Sequence, residues 1–145
     1  MFDDSNWPRH PFITITGRFL FTLIFFISGI THFTDVEGYA ALMPESAPWK
    51  TFWVLTSGGV ELAGATMILL NRSPRLGAWL LILFLVPVTL VVHGVPAFAA
   101  ETEQMQAIQT SFFLKGVAMT GAALLISQLG AGSPVPGSMD NEKVQ

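Results

Sequence analysis

The chain has 145 residues and no cysteine. That excludes a disulfide framework, a CxxC redox pair, thiolate metal ligands and a cysteine nucleophile, so any redox role must use something other than its own thiols. Charge is scarce too. Only 12% of residues are Asp, Glu, Lys or Arg, about half the roughly 25% of an ordinary soluble domain. The net charge of −3 is mild and there is no basic run, which argues against nucleic acid as a partner. No P-loop, dinucleotide fingerprint, nucleophile elbow or internal repeat is found. What the chain has in quantity is apolar residues, 51% of the total, and they gather in four blocks. A bilayer-crossing helix needs about 20 mostly apolar residues, so four spans use about 80 and leave about 65 for ends and loops. The expected fold class is all-α, an integral membrane four-helix bundle without a large extramembrane domain.

The expected spans are residues 12–33, 51–70, 76–95 and 111–129, between an N-terminal segment 1–11 and a flexible Gly/Ser/Pro-containing tail 130–145. Arg9 before the first block also suits a secretory signal peptide. The block is long enough to cross, however, and no small-x-small cleavage site follows it. Pro87 inside the third block leaves the carbonyl of Leu83 without its helical partner, so a local adjustment is expected there. The lead-in 102–110 of the fourth block lacks Pro and Gly and can extend that helix beyond the bilayer. Trp7, Trp49, Trp53 and Trp79 read as interface anchors.

Arg9, Arg72, Arg75 and Lys143 fall on one side and only Lys50 on the other, which places both termini in the cytoplasm. The opposite loops carry Asp35, Glu37, Glu45, Glu101 and Glu103, so the outer face is acidic. In the first of them Thr34-Asp35-Val36-Glu37 reads as a capping box, and Val36, Tyr39, Ala40 and Met43 then fall at i, i+3, i+4 and i+7. This spacing suits a short amphipathic surface helix; a plain acidic connector is the alternative. The turn Asn71-Arg72-Ser73-Pro74-Arg75 is tight.

The informative residues are those that lipid rejects. Arg18, Glu61 and Lys115 lie within spans, and His32 and His93 near the outer ends of the first and third. Three unpaired charges facing lipid would cost on the order of 8–10 kcal/mol, so they are expected to face inward. Helical spacing agrees: Thr14, Arg18, Thr22, Phe25, Gly29 and His32 form one stripe, Ser57, Glu61, Gly64 and Ala65 another, Thr89 and His93 a third, and Ser111, Lys115, Ala118 and Ala122 a fourth. Gly59 and Ala63 make a small-xxx-small pair suited to close helix approach. Counting about 1.5 Å per residue from each span's midpoint puts Glu61 near the midplane and Arg18 about 7–8 Å inward of it. Lys115 then falls about 7–8 Å outward, and His32 and His93 about 12–14 Å outward.

Glu61 is thus expected to pair with Arg18, Lys115 or both. An outward-opening cavity lined by Glu61, His93 and Lys115 would take a small polar or quinone-like ligand. In this reading Glu61 and His93 are the catalytic, proton-handling residues and Arg18, Lys115 and His32 bind ligand. The alternative is structural: the charges neutralise one another and fix helix register, with the histidines at the wet outer end. No metal site is expected, since no HxxxH spacing occurs, and no intrinsic cofactor is assigned.

Gly17-Arg18 and Ser28-Gly29-Ile30-Thr31-His32-Phe33 in the first span, and Gly58-Gly59-Val60-Glu61-Leu62-Ala63-Gly64 in the second, are followed by Leu76-Gly77-Ala78, Pro87-Val88-Thr89 and His93 in the third and by Phe113-Leu114-Lys115 with Gly121 in the fourth. In this order they resemble the DoxX family of small bacterial inner-membrane proteins, over residues 12–129. The resemblance implies a multi-pass inner-membrane bundle. Some members of the family are described as subunits of a thiosulfate:quinone oxidoreductase, and others accompany methylamine utilisation or oxidoreductase complexes of the oxidative-stress response. Members often carry lysine where this chain has His32, and relatives working beside disulfide chemistry have cysteines that it lacks, which disfavours a thiol relay.

The expected function is therefore a small membrane subunit of a quinone-linked redox system. If the chain is catalytic it belongs to a quinone-dependent oxidoreductase, with quinone as ligand or electron acceptor and other membrane or redox subunits as partners in the lipid bilayer. The alternatives are a non-catalytic structural or assembly subunit, and a small-molecule or proton-coupled transporter.

Overall fold

A computed structural model describes residues 10–131. The expectations for the N-terminal segment and the tail beyond residue 131 lie outside them, as do Trp7, Arg9 and Lys143. The chain forms α1 (Pro11–Thr34), α2 (Val36–Ala41), α3 (Lys50–Leu69), α4 (Pro74–Pro87), a π-helical segment (Val88–Gly94), α5 (Val95–Ala99) and α6 (Glu103–Leu129). α4, the π segment and α5 run on as one rod, so four helices are long and apolar enough to cross a membrane: Pro11–Thr34, Lys50–Leu69, Pro74–Ala99 and Glu103–Leu129. The fourth begins eight residues before the expected 111, because Thr102 caps it by accepting a hydrogen bond from the Met105 backbone N–H at 3.2 Å.

Large apolar side chains such as Phe12, Leu20, Leu83 and Leu125 point outward. In water so broad an apolar surface would aggregate, whereas in lipid it is the proper solvent-facing layer. Inside, Phe25 of α1, Ala65 and Ile68 of α3, Ala78, Leu81, Ile82 and Leu85 of α4 and Ala123 of α6 make one apolar core. Each long helix packs on the next in chain order, α1 on α3, α3 on α4 and α4 on α6, and among the described residues α1 and α6 stay apart at the backbone.

Two crossings rest on paired glycines. A methyl at Gly29 would meet the Gly58 carbonyl oxygen at 3.2 Å and Leu62 at 2.8 Å, and one at Gly58 would meet the Gly29 oxygen at 3.0 Å and His32 Cβ at 2.7 Å. Gly64 and Gly77 stand in the same reciprocal relation between α3 and α4, at 2.8 and 2.7 Å. Small residues at contact points are the usual device for close helix approach in membranes, where lipid gives no hydrophobic push. The expected Gly59–Ala63 contact is not made: both residues are exposed, and a methyl at Gly59 meets nothing within 4 Å. The contact falls one residue earlier.

α3 ends in a Schellman motif, with Arg72 N–H bonded to the Met67 carbonyl at 3.0 Å and Asn71 N–H to that of Ile68 at 3.1 Å. Asn71 takes the left-handed conformation that this cap requires. The short loop helix forms, capped by Asp35 rather than Thr34: the Asp35 carboxylate accepts from Gly38 N–H at 3.1 Å, and Thr34 is still part of α1. Val36, Tyr39, Ala40 and Met43 are half-buried while Glu37, Gly38 and Leu42 are exposed, the amphipathic face that the spacing predicts. At Pro87, which has no N–H, the rod adjusts by widening into the π segment, with Val95 N–H reaching back five residues to the Leu90 carbonyl.

Replacing Gly58 by Leu should lower stability in detergent by about 1–3 kcal/mol through overpacking of the α1–α3 crossing. Gly59→Leu, pointing into open space, should not lower it. Thermal unfolding of the two purified variants compares them directly.

Candidate functional site

The Gly29–Gly58 crossing decides which polar residues meet. His32 lies one turn beyond Gly29 on α1, and Glu61 one turn beyond Gly58 on the antiparallel α3. Helical side chains lean toward their own N-terminus, so the two lean toward each other. His32 Nδ1 lies 2.9 Å from Glu61 Oε1, with side-chain exposures of 5% and 0%. The contact is turned off line for a hydrogen bond, leaving Nδ1 and both carboxyl oxygens without a linear partner. The Ser28 hydroxyl, one turn before His32, stands beside the carboxyl.

Aromatic rings close this pair in. The Tyr39 ring of α2 lies 3.9 Å from the imidazole, centroid to centroid, and Phe84 of α4 meets it edge-on at 5.9 Å. Tyr39, the chain's one tyrosine, is itself anchored by a 2.7 Å hydrogen bond between its hydroxyl and that of Thr31. The short loop helix is therefore a cover over His32.

Among the described residues His32–Glu61 is the one close acid–base contact, so the expected pairing of Glu61 with Arg18 or Lys115 does not occur. The depth count placed His32 far outward of Glu61 because it centred every span separately. The real register comes from the glycines, which set Gly58 against His32 Cβ and leave Glu61 only three residues, about 4.5 Å, further along. Arg18 lies apart on α1, two turns before Phe25, half-buried, its Nε enclosed without a partner. Glu61 is wholly buried, His93 half-buried and Lys115 exposed. A shallow apolar groove beside Trp49, Thr51, Phe52 and Leu55 lies on α3 and holds no ionisable group.

The fourth expected stripe is turned outward. Ser111, Lys115 and Ala118 are exposed, and α6 buries Gly116, Ala123 and Ser127 instead. Gly116 packs directly on Thr89, a closeness that any larger residue would prevent. Lys115 then leans along α6 toward the helix start, its ammonium 5.1 Å from the centroid of the Phe112 ring.

Phe112 also stacks on His93, 5.2 Å apart and 24° from parallel. His93 Nδ1 lies 3.1 Å from Gln109 Oε1. This second polar cluster depends on the π segment. With the widened turn, Thr89 and Gly94, five apart, share the buried face, and His93, four from Thr89, is left half-buried beside α6. Sequence reasoning missed Gln109 and Phe112 as partners. Phe112, three residues from each of Gln109 and Lys115, was the available signal. Among the described residues no three His, Cys, Asp or Glu side chains gather as a metal set would require.

Removing one member of a buried polar pair leaves the other unsatisfied, at about 1–3 kcal/mol, whereas replacing both together by apolar groups costs far less. His32→Leu should therefore destabilise strongly, and the His32→Leu/Glu61→Leu double variant clearly less than the sum of the two singles. A double-mutant cycle by unfolding in detergent measures this; strictly additive losses would disprove the pairing.

The DoxX family model matches residues 13–94, more than half of the 145-residue chain. The matched stretch holds His32, Tyr39, Glu61, Phe84 and His93 and stops before α6. Comparison with curated proteins and with solved structures gave no match. With four membrane-length helices and a family match over most of the first three, the chain belongs to the DoxX family.

Proposed function

We propose that this DoxX protein is a small multi-pass subunit of a quinone-linked redox system in a bacterial inner membrane, in which its buried imidazole–carboxylate pair handles protons. The observation that carries the reading is the His32–Glu61 contact of 2.9 Å inside a membrane-spanning bundle, closed over by Tyr39 and Phe84. Ionisable groups at membrane depth are costly, and the functions that justify them are ligand binding and proton relay. An imidazole beside a carboxylate can pass a proton to it and take one back, and two aromatic rings pack on this imidazole.

Reduction of a quinone to its quinol takes up two electrons and two protons. The chain has no thiol to carry electrons, so the reading assigns the electron-carrying group to a partner subunit and proton handling to this one. His93, oriented by Gln109, is the second imidazole available for that task. Such a chain would work as part of a quinone-dependent oxidoreductase.

A second reading has its own observation. Glu61 is wholly buried beside His32, where α1 crosses α3, while α1 and α6 make no close backbone contact among the described residues. A non-catalytic assembly subunit, packed against a larger membrane complex, would need no more than this.

Purification from native membranes in mild detergent, with lipid extraction for quinone and mass spectrometry of co-purifying chains, separates the two. The redox reading expects a partner subunit, bound quinone and donor-dependent quinone reduction. It also expects Glu61→Gln to lower that reduction by about 100-fold or more while the complex still assembles. An intact complex with no quinone, or with full activity in Glu61→Gln, favours the assembly reading.

A further inference from the structure

We propose that α2 is a gate over the His32–Glu61 pair, latched by the hydrogen bond between the Tyr39 and Thr31 hydroxyls, and that its opening connects the pair to water on the side of the loop between α1 and α3. Proton handling by the pair, as read above, needs such a route, because the closed pair is sealed: His32 is 4% exposed and Glu61 0%.

Of the groups that pack on His32, one can leave without unpacking the bundle. Gly58 belongs to α3 and Phe84 to α4, and moving either means displacing a long helix. Tyr39, 3.9 Å from the imidazole, belongs to a six-residue helix that buries no residue. A helix that short is not stable by itself and stays in place only through its contacts. His32 is also two residues from the end of α1 at Thr34, about 3 Å of helical rise from the loop.

The latch is specific. Thr31 Oγ1 lies 2.8 Å from the Ser28 carbonyl oxygen and 3.1 Å from that of Ile27, so its proton is committed to its own helix and the Tyr39 hydroxyl donates to it at 2.7 Å. Further along the loop, Lys50 Nζ donates to the Met43 carbonyl at a long 3.4 Å. Trp49, where the loop joins α3, takes a left-handed backbone with φ 53°, a strained conformation for a bulky residue.

Opening has something to gain as well as something to lose. In the closed state His32 Nδ1 and both Glu61 oxygens lack a linear partner, and buried polar groups left in that condition are costly. Entering water satisfies them, while the Tyr39 ring gives up its packing on the imidazole. With these terms opposed, one neutral hydrogen bond is enough to shift the balance several-fold.

Diethyl pyrocarbonate labelling of the full-length protein in phospholipid nanodiscs at fixed pH, resolved site by site by mass spectrometry, reads access to each imidazole. Exposed His10 sets the rate of an open ring, and half-buried His93 reports on the rest of the bundle. In the parent chain His32 should react well below His10. Tyr39→Phe, which removes only the hydroxyl, and Thr31→Val should each raise the His32 rate about five-fold, while Thr31→Ser stays within about two-fold of the parent. The Tyr39→Phe/Thr31→Val double variant should react no faster than either single, since both remove the same bond. His93 should be unchanged throughout. An unaltered His32 rate in both single variants overturns the latch, and a parent His32 as fast as His10 overturns the closed gate. A parallel rise at His93 assigns the exposure to loosening of the whole bundle and also overturns the proposal. None of these outcomes bears on whether quinone or a partner co-purifies, so the gate and the quinone-linked reading fail separately.

Discussion

A carboxylate buried in a membrane protein must find a partner, and in this chain the partner is set by how closely two backbones can approach. Gly29 and Gly58 let α1 and α3 touch where any side chain would hold them apart. At that separation His32 and Glu61, each leaning toward its own helix start, come within 2.9 Å. Much else follows from this crossing. Tyr39 has an imidazole to cover, the loop helix has a place to rest, and Phe84 of α4 meets the ring edge-on. In lipid the usual hydrophobic drive between helices is absent, so packing and internal polar contacts must supply the specificity.

Most of the architecture was legible in the sequence, because a bilayer imposes length and apolarity on each span. The four helices, the tight turn at Asn71, the amphipathic loop helix and the stripe Thr22, Phe25, Gly29, His32 all appear as spacing predicts. The site was legible only in its parts. Polarity marks an inward-facing position at Glu61 and not at Lys115. On α6 the inward positions are the small ones, Gly116, Ala123 and Ser127, since what matters there is close approach to Thr89. Partner choice was misread for a related reason: depth counted from span midpoints ignores register, and register is set by the glycine contacts. The π segment could not be read from spacing at all, because a widened turn changes the periodicity on which such reading depends.

The polar residues therefore divide into two groups with different access. His32 and Glu61 form a closed pair under an aromatic cover, at the α1–α3 crossing. His93, Gln109, Phe112 and Lys115 form an open group on the outside of the bundle. Arg18, with its enclosed Nε, belongs to neither group.

The central claim is that Glu61 is partnered by His32 and not by the chain's intramembrane cations. Solid-state NMR of the protein in lipid bilayers, recoupling the Glu61 side-chain carboxyl carbon to the nitrogens of His32, Arg18 and Lys115, measures this directly. The account predicts strong dephasing from His32 Nδ1, at about 4 Å or less given hydrogen-bonding separation of the heavy atoms, and none from Arg18 or Lys115. A Glu61 carboxyl that dephases with Lys115 or Arg18 and is silent toward His32 would contradict it.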